Sequence, residues 1–215
     1  MTTVTAGSAK RHKVAAGKAH RFVATRVRQD VVVPIAYPDY EISTPVGAVP
    51  GLGHAGVLFI DGKTGTTKYY EYGRYDPANL GIVRQRTIPD VAFGKDDRPT
   101  ETSLKATLKA VSRAGGHGGR ISAVYIEVDP GKYGAMLKFA EDRKKQNGNP
   151  KRVPYSLLSN NCMTFAKETA EAGGASTPSV IIPSPNSYMG RLQDSFPPLE
   201  YAPSTNTLDL HLPKK

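Results

Sequence analysis

Apolar and polar positions fall in short blocks along this chain, and the period changes partway through. Val31-Val32-Val33-Pro34-Ile35 is a short apolar run. It reads as an edge strand ended by its proline, because proline has no N–H to give to a ladder. A Pro/Gly-rich loop over 37–53 leads into His54-Ala55-Gly56-Val57-Leu58-Phe59-Ile60, which predicts a core strand. Asp61 to Gly65 has turn chemistry, and Lys68 to Gly73 returns as the second arm of a hairpin. Gly81 to Ile88 alternates as a third strand. Leu104, Leu108 and Val111 then repeat at helical spacing, predicting a helix of about three turns stopped by Gly115-Gly116.

Ile121 to Val128 is the most apolar β-run and predicts a central strand. Asp129-Pro130 opens a helix with Tyr133, Met136, Leu137, Phe139 and Ala140 on its buried side. Another helix is expected from Asn161 or Cys162 to Ala172, closed by Gly173-Gly174. A Ser/Pro-rich loop over 174–186 precedes a short helix from Tyr188 to Phe196, and the chain beyond Pro197 reads as irregular. No internal repeat is present. Strands mixed with amphipathic helices, without regular βα alternation, argue an α+β fold with an antiparallel sheet packed against helices. The expected organisation is a basic arm over 1–30, a domain over 31–200 and a tail over 201–215.

Composition supports a real core: 39% of the 215 residues are hydrophobic. The 21 Gly and 17 Pro fit a loop-rich mixed fold better than a helical bundle. The formal charge of +10 is uneven, since Lys10, Arg11, Lys13, Lys18, Arg21, Arg26 and Arg28 face no acid within residues 1–28. The remaining 22 basic and 19 acidic side chains leave a net of only +3. The arm reads as a solvated tail, or as an attachment to an anionic polymer or membrane. Nucleic acid is not expected as a partner of the domain. Lys18 and His20 interrupt the alanines at 15, 16 and 19, so no secretory leader is read, and no stretch of roughly 18 apolar residues predicts a membrane span. If the protein acts outside the cytoplasm, it is expected to leave by a route that needs no cleaved leader.

The single cysteine excludes an intramolecular disulfide and a cysteine-rich zinc site. Alone, it reads as a small buried apolar residue. Its context changes that reading. Ser159-Asn160-Asn161 are suited to cap a helix, which puts Cys162 in the first turn, where free N–H groups and the dipole favour a thiolate and an oxyanion. Of five histidines, His12, His20 and His211 lie in terminal segments, and His117 lies in a glycine loop that holds a side chain weakly. His54 begins a core strand between Gly53 and Gly56 and is the candidate base. Glu71, set among Tyr69, Tyr70 and Tyr72 on the neighbouring strand, is the candidate third group, because a carboxylate there is costly without a partner. Asp61 and Asp76 read as surface residues.

Other motifs are weaker. Gly115 to Gly119 follows a helix rather than a strand and lacks a phosphate-loop pattern, and no metal-ligand spacing is present. Tyr72, Arg74 and Tyr75 interleave aromatic and basic side chains that can stack a base or a sugar, or simply fill the core side and rim of the hairpin.

The histidine strand at Gly53-His54-Ala55-Gly56-Val57, followed a hundred or so residues later by Asn160-Asn161-Cys162 opening a helix, resembles the circularly permuted papain-like enzymes. These include permuted relatives of the NlpC-type cell-wall peptidases and lecithin–retinol acyltransferase-like proteins. The strings GHAGVLFIDGKTG, KYYEYGRYD and YSLLSNNCMTFA are similar, more narrowly, to a bacterial set of type VI secretion effectors. The resemblance covers about residues 31–200 and leaves out the basic arm. It implies a permuted papain-like fold and a cysteine amidase or peptidase acting through an acyl-enzyme, with no metal or organic cofactor. Its site would be Cys162, His54 and Glu71, with Asn161, Asn160 or Tyr155 assisting the oxyanion. It further implies a peptidoglycan or peptide substrate, secretion-apparatus and immunity-protein partners, and export to the target-cell periplasm. Three alternatives stand beside it. One is a protease, deamidase or acyltransferase on a protein or lipid; another is a non-enzymatic basic adaptor or nucleic-acid binder using the 1–28 arm; the third is an inactive member of the fold with a binding role.

Overall fold

The computed structural model describes residues 27–44, 47–49, 53–76, 78, 80–179 and 184–213. The expected arm thus lies almost wholly outside the described residues. The frame is one antiparallel sheet, made of β1 (Asp30–Tyr37), β4 (His54–Ile60), β5 (Thr67–Gly73), β6 (Ile82–Arg86), β7 (Ile121–Val124), β8 (Ile126–Val128), β9 (Pro198–Ala202) and β10 (Thr207–Leu210). Its order is β10-β9-β7-β1-β4-β5-β6, with β8 continuing beside β1. A small separate hairpin joins β2 (Ile42–Thr44) and β3 (Gly47–Val49).

Helices cover both faces. Val31, Val33, Ile35, Leu58, Ile60 and Tyr69 pack towards α1 (Glu101–Gly115) through Leu104, Leu108 and Val111. Val32, Ala36, Val57, Phe59 and Tyr70 face the opposite way, towards α2 (Tyr133–Lys145), α3 (Cys162–Ala172) and α4 (Pro185–Gln193). Alternate residues of a strand point to opposite faces, so β1 is apolar at nearly every position because both faces are covered.

That burial corrects the edge-strand expectation. β1 is central, paired with β4 from Val31 to Tyr37 and with β7 and β8 on its other side. Pro34 is tolerated because it falls where that second side is interrupted: β8 pairs with residues 30–32 and β7 with 35–36. The single strand expected over 121–128 is split at the same place. There the Tyr125 N–H turns away and donates to the Pro197 carbonyl at 2.9 Å. α2 starts later than expected because Gly131 takes φ +84°, which ends the turn after Asp129-Pro130 without joining it to the helix. The region after Pro197 is also corrected, since it forms the β9–β10 hairpin, with Leu199 and Tyr201 buried. The alternating Leu199/Tyr201 and Leu208/Leu210 pairs around Ser204-Thr205-Asn206 carry that signal, diluted by flanking prolines.

Asp30 ties three elements together. It is 1% exposed and accepts from Gly62 N–H at 2.7 Å and Tyr133 N–H at 2.6 Å. The second bond serves the start of α2, whose own N-cap Lys132 supplies no side-chain cap. Asp30→Ala leaves both N–H groups without their acceptor. We expect a stability loss of about 2–4 kcal/mol, read as a lower denaturant midpoint with unchanged m. An unshifted midpoint rules out this role.

Candidate functional site

Cys162 is the first residue of α3, and the local sequence explains why. Asn161 is the N-cap: its Oδ1 accepts from Met163 N–H and Thr164 N–H, both at 2.9 Å, while Thr164 Oγ1 accepts from Asn161 N–H at 2.8 Å. This reciprocal box fixes the helix start and holds the sulfur at the positive end of the dipole. The thiol is nearly covered, at 3% exposure.

β4 supplies the histidine. His54 is its first residue and is buried, opposite Tyr37 of β1. The ring is caged by Tyr37, stacked at 6.0 Å between centroids, by Tyr40 at 5.1 Å and by Tyr75 edge-on at 6.3 Å. Its Nε2 lies 3.1 Å from the Tyr75 hydroxyl and 3.5 Å from Glu71 Oε2.

Glu71 lies on β5, opposite Gly56 of β4 and Arg84 of β6. It is 2% exposed, and its partners are Arg86, with Nη2 at 3.0 Å and Nε at 3.1 Å to Oε1, and the Tyr69 hydroxyl at 3.4 Å to Oε2. Tyr37 in turn donates to Tyr69 at 2.6 Å. Gly56 and Gly115 make room for this cluster. A Cβ at Gly56 would stand 2.4 Å from the Tyr69 hydroxyl, and one at Gly115 would stand 2.2 Å from that oxygen and 3.0 Å from Glu71 Oε2.

The electrostatics follow from these contacts. Burial pushes the Cys162 thiol up, but the hydrogen bond and charge of His54, helped by Tyr155 and the Ala55 N–H, outweigh it and hold the thiol below its ordinary value. Burial pushes the His54 imidazolium down, and its hydrogen bonds to Cys162 and Glu71 overcome that, lifting it to about 9. Burial likewise raises Glu71, and His54 and Arg86 more than compensate, so its carboxyl sits below the ordinary range. The three shifts act in one direction, towards thiolate, imidazolium and carboxylate.

The structure thus brings Cys162, His54, Glu71 and Tyr155 together. The Tyr155 hydroxyl points at Cys162 Sγ, 3.8 Å away, and its own proton is held tightly by burial and the cysteine charge. The two asparagines are corrected. Asn160 spends its Nδ2 on Pro154 O at 2.8 Å and the Tyr72 hydroxyl at 3.0 Å, and its Oδ1 on Arg143 at 2.9 Å. The Asn161 side chain is committed to the cap and to Leu157 O at 2.8 Å. Both amides build the site's walls and are not aimed at an oxyanion. His117 is held better than its glycine loop implies: Ser112 ties that loop through the Gly116 and Gly118 N–H groups, and the imidazole packs on Tyr40 at 4.7 Å. His211 is exposed beside Asp209, Asp61 caps its own turn, and Asp76 pairs with Arg152 at 2.5 Å.

Two residues near His54 and Glu71 escaped the sequence reading as site components, Tyr75 and Arg86. A buried glutamate on an aromatic strand calls for a cation on the next strand, and GIVRQR offers one; nothing local marks Tyr75 as a histidine partner. An open cleft lies over the site, lined by Tyr40, Glu41, His54, Gly73, Arg74, Tyr75, His117, Tyr155 and Leu157. Among the described residues, no three His, Cys, Asp or Glu side chains are grouped to hold a metal ion, and no helix is long and apolar enough to cross a membrane.

Fold and site together define a class: a mixed α+β protein with a cysteine at a helix start, facing a histidine and a carboxylate on adjacent antiparallel strands. The profile of the family described as type VI secretion system effector TseH-like matches residues 32–177. The chain belongs to that family. It is similar to the crystal structure of the type VI secretion system effector TseH, with 37% sequence identity over 86% of this chain and 99% of that one, at a TM-score of 0.74. No curated protein matches it. Membership in this bacterial effector family carries with it export by a secretion system, and secretion-apparatus or immunity proteins as the partners to expect.

Proposed function

We propose that this effector is a cysteine hydrolase that cleaves an amide bond of peptidoglycan stem peptides in the target-cell periplasm, through a thioester acyl-enzyme. The observation that carries the reading is the convergence of three groups: Cys162 at the start of α3, with the Tyr155 hydroxyl 3.8 Å from its sulfur, and His54 with Glu71 3.5 Å behind its Nε2. The order of histidine strand before cysteine helix also fits a circularly permuted papain-like fold, which we adopt as the evolutionary reading.

With Nε2 turned to Glu71 and Tyr75, Nδ1 is the ring nitrogen left for the sulfur. His54 holds the proton taken from Cys162, and the thiolate attacks the substrate carbonyl carbon. The oxyanion that forms is met by the Tyr155 hydroxyl and the Cys162 backbone N–H, which already acts on the same phenol. His54 protonates the leaving nitrogen, the C–N bond breaks and a thioester remains. Water, deprotonated by His54, then attacks the thioester and releases the acid and the thiolate. Glu71 keeps the imidazolium oriented throughout.

Digestion of purified sacculi, followed by mass spectrometry of the soluble muropeptides, tests the substrate. New fragments bearing a free carboxylate and a free amine at one amide are expected. Sacculi left intact by the wild-type protein, with cleavage of a protein or lipid amide instead, would move the activity to the protease, deamidase or acyltransferase class.

Tyr75 stands nearer to Nε2 than Glu71 does, so its oxygen shares the imidazolium proton as a positioning group. Tyr75→Phe is expected to lower kcat about three- to tenfold with KM little changed, the size of one hydrogen bond. The alkaline limb of the pH profile should move to lower pH, because an acceptor for the protonated ring is gone. A kcat loss with an unmoved limb assigns Tyr75 a packing role only.

A further inference from the structure

The cleft lined by His54 and Tyr155 contains an arginine that forms no ion pair with an acid among the described residues. Arg74 follows β5 directly, is exposed and lines the cleft beside Tyr75 and Tyr155. Its guanidinium stands 6.0 Å from the centre of the Tyr155 ring, and the Tyr155 hydroxyl stands 3.8 Å from the sulfur. Arg74 and the sulfur thus lie at two ends of the same phenol, within reach of one bound peptide. The described residues include every Asp and Glu of the chain, and among them none forms an ion pair with Arg74. Arg86 binds Glu71 and Arg152 binds Asp76, while Arg84 is stacked on the Tyr75 ring at 3.5 Å and does not line the cleft.

A guanidinium presents a planar fork of donors that matches a carboxylate and holds it in one orientation. Arg74 rests on an aromatic face rather than on an acid, so it reaches the cleft with that fork unspent. The walls around it are phenolic, through Tyr40, Tyr75 and Tyr155, and suit the planar groups of a peptide. Glu41 shares the lining and opposes a dianion such as phosphate.

We propose that Arg74 anchors a substrate carboxylate on the Tyr155 side of the cleft, which makes the preferred substrate a peptide with a free carboxylate a few residues from the scissile amide. This deepens the hydrolase reading and rests on it. It also narrows the substrate, because stem peptides whose carboxylate is amidated become poor substrates.

The test is steady-state kinetics on two soluble muropeptides that differ only by carboxylate or carboxamide at that position, using wild type, Arg74→Ala and Arg74→Lys. On the carboxylate peptide, Arg74→Ala should raise KM about 10- to 100-fold with kcat held within about threefold. Amidating the peptide should cost the wild type a similar factor, and the two losses should not add, since both remove the same contact. Arg74→Lys should recover only part, because an ammonium lacks the fork. An unchanged KM in Arg74→Ala, or an equal loss on both peptides, overturns the anchor. Failure of the hydrolase reading looks different: the wild type then cleaves neither peptide. In that case calorimetric titration of both peptides into Cys162→Ala protein decides, with tighter binding of the carboxylate form supporting the anchor and equal or absent binding overturning it.

Discussion

Cys162→Ala should lower amide hydrolysis by at least about 10³-fold while the protein stays folded. In the proposed mechanism only the thiolate forms a covalent bond to the acyl carbon, so nothing left behind can replace it. The structural cost is small. Cys162 is nearly covered, at 3% exposure, and losing one sulfur from a packed site costs on the order of 1 kcal/mol. The cap that starts α3 runs through Asn161 and Thr164 and does not use the cysteine side chain. Circular dichroism and thermal unfolding should therefore change little while product release stops. Residual cleavage near the wild-type rate would remove Cys162 from the mechanism. His54→Ala should match the loss in rate, and it should also return the thiol towards its ordinary value, read as slower alkylation by iodoacetamide at neutral pH. Equal alkylation rates in the two proteins would show that His54 does not activate the sulfur.

The second large effect is on pH. The active form holds a thiolate beside an imidazolium, so kcat/KM should follow a bell. The acid limb is set by the thiolate gaining its proton. It should lie below the ordinary thiol range, because His54, Tyr155 and the Ala55 N–H together outweigh burial. The alkaline limb is set by His54 losing its proton at about 9, against an ordinary 6.5. The linkage has a matching sign. His54 binds its proton more tightly when folded, so its contribution to stability is complete below 6.5 and is lost as pH rises through about 9. Glu71 is lowered from 4.5, so its contribution is present above that value and is lost as pH falls below it. Rate and alkylation profiles taken across this range check the pair. A rate that keeps rising through pH 9, with alkylation following an ordinary free thiol, is incompatible with it.

In the proposed mechanism Tyr155 and the Cys162 N–H carry the oxyanion, a narrower assignment than three side chains. Asn160 and Asn161 looked suited to it from the sequence because both flank the cysteine. Their amides are consumed in holding the 153–157 loop and the helix start. A side chain cannot be both a fully bonded wall and a free donor.

What the sequence determined by itself was local. Asn161 caps the helix that Cys162 begins, and both ends of the cap lie within four residues. His54 opens the strand between two glycines, and the Asp61 to Gly65 turn folds β5 back beside it, which brings Glu71 opposite Gly56. Such features rest on hydrogen bonds and periodicity over a few residues, so the chain spells them out. Tertiary structure decided the rest. It made β1 central despite Pro34, because the pairing on its far side is broken where the proline lies. It drew the residues after Pro197 into the sheet, set Arg86 against Glu71 and placed Tyr75 on the imidazole. Each of these depends on which distant strand pairs with which, and in what register. Alternating apolar residues allow several such pairings, and only closing both cores around one sheet selects among them.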